Sequence, residues 1–194
     1  MQAEAAGPLV RPAAPRRRLL LAAAGGVIAA GLGIRLLVAG RIGPGRGDEV
    51  SPEQAARLTA ALAAHGPVRL ERVTPADLPA AIQALNLPET DRRQLAQEAT
   101  ERRQPMAWLT LYDSAAEDGD VVEVASAGLK LPVLLRLAPI RIAVPVPADG
   151  LVRLTGLVDG GGGGVTVGVV TPEGPFGLAP LAVGESVALP VYAP

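Results

Sequence analysis

Twenty-two consecutive residues, Leu19 to Gly40 (LLLAAAGGVIAAGLGIRLLVAG), carry one charge, Arg35. An apolar run of 18 or more residues is a membrane-helix candidate, because about 20 helical residues span a bilayer core. Ten of the 22 are Leu, Ile or Val, each favouring insertion by roughly 0.3–0.6 kcal/mol at the helix centre. Arg35 opposes this, since a central Arg costs about 2.5–3.5 kcal/mol. It lies five residues from the far end of the run, where its side chain can snorkel to the interface. A buried helix of a soluble domain is the alternative, but nothing else in the chain is apolar enough to surround it. Residues 19–40 are therefore expected to be a transmembrane helix or signal segment.

The charges give the segment a direction. Residues 1–46 hold seven Arg and one acid, residues 47–106 nine acids and seven Arg, and residues 107–194 nine acids and four bases. Arg11, Arg16, Arg17 and Arg18 precede the run, so the positive-inside rule keeps residues 1–18 cytoplasmic as a basic tail. Everything after Gly40 then lies outside. The expectation is a single-pass inner-membrane protein with a periplasmic C-terminal domain, in contact with the membrane through residues 19–40. A cleaved, secreted form is the alternative: PRRRLLL resembles a twin-arginine export signal, and Val38-Ala39-Gly40 offers small residues for cleavage. A nucleic-acid binder would carry its positive charge on the folded part. Here that part is acidic, so no nucleic acid is expected.

Residues 41–50 are rich in Gly and Arg and read as a flexible linker. Residues 51–104 read as a helical subdomain. Ser51-Pro52-Glu53-Gln54 carries the signals of a helix start, and His65-Gly66-Pro67 those of its stop. Thr74-Pro75-Ala76-Asp77 predicts a second helix to about Leu85, and a third runs from about Glu89 to Arg103.

From Ala107 the apolar period changes from helical to alternating. Seven strands are predicted over 107–113, 120–126, 130–136, 140–146, 151–157, 165–171 and 186–192, with Gly-containing turns between most of them. Seven short strands in 88 residues point to an antiparallel β-sandwich over residues 107–194, or a barrel. The expected core is Leu109, Leu111, Val122, Val124, Ile140, Ile142, Val144, Leu154, Val165, Val167, Val169 and Leu189, with Trp108 and Tyr112 as anchors. The fold class is thus mainly β, behind a membrane helix and a short helical segment.

The absence of Cys removes disulfides, thiolate metal sites and cysteine nucleophiles. A single His, His65, removes His-rich metal sites, and Ser114, Ser126 and Ser186 have no His in their own section. Gly160–Gly164 lacks the Lys and the following helix of a phosphate cradle and reads as a flexible hairpin tip. The densest chemistry is Asp113-Ser114-Ala115-Ala116-Glu117-Asp118-Gly119-Asp120. Four acids in eight residues could offer hard oxygen ligands to calcium, although such loops are commonly solvated turns.

Trp108, the strand after it and EDGDVVEV, followed by IRIAVPVPADGLVRLTG, resemble exported bacterial β-sandwich modules over roughly Trp108 to Val170. The resemblance implies the fold and export, and no activity. Acidic inter-strand loops are similar in calcium-dependent lipid-binding sandwiches, whose second ligand loop is matched here only by Asp159. The expected function is a membrane-anchored periplasmic binding or assembly module without catalytic activity, whose partner is another envelope protein. No catalytic, cofactor or metal residue is assigned on that reading. The alternative is a calcium-binding β-sandwich using Asp113, Glu117, Asp118 and Asp120.

Overall fold

Ser51 opens the first helix as its spacing predicts: its Oγ accepts a hydrogen bond from the Gln54 N–H at 3.2 Å. In the computed structural model, which describes residues 50–101 and 103–194, this helix, α1, runs Pro52–His65. The expected tail 1–18, the membrane segment 19–40 and all but the last residue of the linker 41–50 lie outside the described residues. Among the described residues no helix is long and apolar enough to cross a membrane.

Thr74 and Asp77 stand at the start of the second helix, Asp77 as its N-cap residue without a side-chain cap bond. Their side chains bond each other at 2.7 Å in a turn, and α2 starts after them as Leu78–Gln83. Helix α3, Glu89–Thr100, ends three residues earlier than its charge pattern predicts. Between α1 and α2 the helical expectation fails in a second way. Val68–Arg69 forms β1 and Glu71–Arg72 forms β2, each entering a different sheet. Helix-length periodicity cannot register strands of two residues.

The remaining strands are β3 Met106–Asp113, β4 Val121–Ser126, β5 Leu129–Leu134, β6 Ile140–Pro145, β7 Leu151–Val158, β8 Val167–Thr171, β9 Gly174–Gly177 and β10 Ser186–Tyr192. The protein is mainly β. One five-stranded sheet has the order β1-β10-β7-β4-β5; in the other, β3 pairs with β2, β6 and β8, and β9 pairs with β8. All pairings are antiparallel except β1 with β10. Residues of both sheets share one hydrophobic core, which also takes Ala81, Ile82 and Leu85 from α2 and its end and Leu95 from α3. Val68 and Leu70, from the stretch between the first two expected helices, are buried in it as well.

Ten of the twelve expected core residues are buried; Ile140 and Ile142 are only half-buried. They pair with the fully buried Leu111 and Leu109 and so share their face, but they sit at its margin. The next three residues, Ala143, Val144 and Pro145, are all buried, because α2 lies against β6. Trp108 and Tyr112 are not buried in the core, although Trp108 packs against it. They alternate with the buried Leu109 and Leu111 and occupy the opposite, half-exposed face of β3. Arg141 stacks over the Trp108 ring at 4.3 Å and bonds Glu71 at 2.6 Å.

Candidate functional site

The end of β3 and the start of β4 bring three acids together. Asp113 is the last residue of β3, and Asp120 immediately precedes β4. Both are buried, at 1% and 0% exposure. Asp118 lies in the loop joining them, and one carboxylate oxygen from each of Asp113, Asp118 and Asp120 falls within 4.8 Å of the others. Glu117 is not in this group. Its side chain turns away to Arg136, at 3.5 Å, and to the Leu137 N–H, at 3.3 Å.

Each acid has a different set of partners. Asp113 Oδ1 accepts from the N–H groups of Ala115 and Ala116, at 3.0 and 3.1 Å, and from the Thr166 hydroxyl at 2.8 Å. Asp120 accepts from the Gly160 N–H at 3.0 Å and the Thr166 N–H at 2.7 Å, one on each oxygen. Asp113 Oδ2 and both oxygens of Asp118 are buried and have no hydrogen-bond partner. Among the described residues, no ion pair reaches any of the three.

The glycine run covers the cluster, and is more than a flexible hairpin tip. A bulge opposite Val121 and Val122 leaves Leu157 without a register partner. Bulges of this kind bend a strand and re-aim the residues beyond it. Past the bulge, Asp159 accepts from the N–H groups of Gly162 and Gly164, at 2.7 and 3.0 Å, which folds the loop back on itself. A Cβ at Gly160 would collide with the Asp118 backbone, and one at Gly161 with the Asp118 carboxylate. Gly160 has no room for a side chain because it lies against the Asp118 backbone, and a side chain at Gly161 would displace the Asp118 carboxylate.

Electrostatically the site is incomplete on its own. Burial, and secondarily the charges of Asp118 and Asp113, push the Asp120 carboxyl up from its ordinary range, against the pull of its two backbone hydrogen bonds. Two like charges within 4.8 Å of each other repel by roughly 3.5 kcal/mol or more at an effective dielectric of 20. Unsatisfied buried carboxylate oxygens add a desolvation cost of about 1–3 kcal/mol each, or more when charged.

Sequence reasoning found the three acids but included Glu117, and it missed Thr166, whose N–H and hydroxyl hold two of them. No local signal marks Thr166, which lies 53 and 46 positions from Asp113 and Asp120. His65 packs on Phe176, with ring centroids 4.7 Å apart, and the Ser126 hydroxyl donates to the Pro145 carbonyl.

Once this geometry is set beside known proteins, no family model, curated protein or solved structure matches the chain.

Proposed function

We propose that the protein is a single-pass, membrane-anchored module whose β-sandwich domain works outside the cytoplasm by binding another envelope protein, without catalysis of its own. The observation that carries the reading is the 22-residue apolar run with four Arg on its N-terminal side, placed directly before a domain whose first helix starts at Pro52. A basic flank of this kind holds the N-terminus in the cytoplasm and sends the other side across. Two five-stranded sheets over one core support the sandwich.

A binding role draws support from the outer face of the first sheet. Val121 pairs in register with Leu134 of β5 and Val158 of β7, so three apolar side chains lie side by side across three strands. Leu134 is 47% and Val158 48% exposed. An apolar row of this kind is the part of a surface on which a partner gains most from excluding water.

The test is fractionation of the full chain expressed with a C-terminal tag. It is expected to stay in the membrane pellet after alkaline carbonate washing, with the tag open to protease only from the periplasmic side. A tag cut only from the cytoplasmic side would overturn the orientation. A mature N-terminus near Arg41 would replace the anchor with a cleaved signal.

A further inference from the structure

We propose that Asp113, Asp118 and Asp120 bind one calcium ion, which fastens the loop before β4 to the glycine run after β7. This goes beyond the envelope reading and does not depend on it, because it rests on side-chain geometry alone.

Three carboxylates with oxygens within 4.8 Å of one another form a hard, all-oxygen donor set. The acids alone would not make a site. What points to a ligand is Asp113, which is 1% exposed with Oδ1 saturated by three donors while its Oδ2 has no partner at all. Both Asp118 oxygens are in the same condition. The protein has spent its nearby donors, from Thr166, Gly160, Ala115 and Ala116, on the other oxygens of Asp113 and Asp120. Three buried acceptor atoms without a donor, beside mutually repelling charges, are what a cation would neutralise.

The choice of calcium comes from the framework. Magnesium demands near-ideal octahedral geometry and dehydrates reluctantly, whereas calcium accepts six to eight oxygens in irregular arrangements. Here the acids come from a strand end, a loop and a strand start, under a glycine loop whose backbone touches Asp118. That assembly suits the more tolerant ion. Glu117 is excluded, since it is committed to Arg136 and Leu137.

The experiment uses the full chain in detergent, stripped of metal with a chelator, at neutral pH. Calcium titrated by calorimetry should bind one ion per chain with a Kd of about 10⁻³ M or tighter, the range of extracellular modules and better. The melting temperature should rise with calcium. Asp118→Asn should weaken calcium binding by more than tenfold, while melting at or above the wild-type temperature in chelator, because one of three repelling charges is gone. Glu117→Gln should bind calcium like the wild type. The wild-type titration decides the matter even if Asp118→Asn fails to fold.

Absence of both heat and melting shift up to about 10 mM calcium, ten times the weakest Kd of that range, would overturn the site. So would a cluster that acidification stabilises while calcium leaves it unchanged, which would mean that a shared proton neutralises it. Undiminished binding in a folded Asp118→Asn protein would place the ion elsewhere. An equal response to magnesium would overturn the choice of calcium.

Discussion

Strand β3 carries charge in two settings. Near its start, Trp108 lies half-exposed beneath the Arg141 guanidinium, which also bonds the exposed Glu71. At its end, Asp113 is buried with Asp120 and the carboxylate of Asp118. The first group mixes opposite charges in water, and the second collects like charges away from it. Solvent screens an exposed pair, so that making or breaking it changes little. The acid cluster has no such shelter, and every donor that reaches it is worth more. The same strand therefore holds a decorative cluster and one that requires partners.

The largest expected effect is at the buried end. Thr166→Val keeps the backbone N–H but deletes the hydroxyl that donates to Asp113 Oδ1, so a buried carboxylate loses a charge-assisted bond worth about 1.5–3 kcal/mol. Urea unfolding of the full chain should show a loss of that size. A loss no larger than for Thr155→Val, a half-buried threonine whose hydroxyl bonds only the Ser186 hydroxyl, would mean that the acid end is not energetically distinct.

At the exposed end, Arg141→Ala removes both the stacking on Trp108 and the contact with Glu71. Its cost should be about 0.5–1 kcal/mol at low salt, and part of it should vanish in high salt. A cost as great as that of Thr166→Val would erase the contrast between the two ends.

The smallest effect belongs to Tyr112, which lies between them and appears only in alkali. Burial pushes its phenol above the ordinary value, and its ring lies against Gly168, where a Cβ would strike it. A raised folded pKa means that the fold prefers the neutral phenol. That stability is fully present below the unfolded pKa of about 10 and is lost as pH rises through the folded value. Tyr112→Phe should melt close to the wild type at neutral pH and lose less stability above pH 10. Parallel melting curves for the two proteins across that range would show that the phenol is not burdened by burial.

Much of this molecule was legible in its residues. A two-residue alternation depends only on neighbours, so β4, β7 and β10 fall within a residue or so of their expected bounds. The side-chain cap at Ser51 and the helix stop at His65 are equally local. Alternation also separated Trp108 from Leu109 and put Leu109 in the core, but Trp108 was given an anchoring part there as well. The large aromatic suggested the core, whereas the register of β3 with β6 placed Leu109 inside and left Trp108 to Arg141.

What only the tertiary structure decided is whatever depends on elements far apart in the chain. Strands β1 and β2 exist because Tyr192 and Trp108 supply edges for two-residue partners, and no local pattern encodes an edge. The acid loop announced four carboxylates with equal claim. Folding kept three, because Arg136 drew Glu117 outward and Thr166, brought in by β8, fixed Asp113 and Asp120. The run of glycines reads locally as freedom, since each lacks a side chain. Packed against Asp118 it becomes a constraint, because a side chain at Gly160 would strike the Asp118 backbone and one at Gly161 would displace its carboxylate.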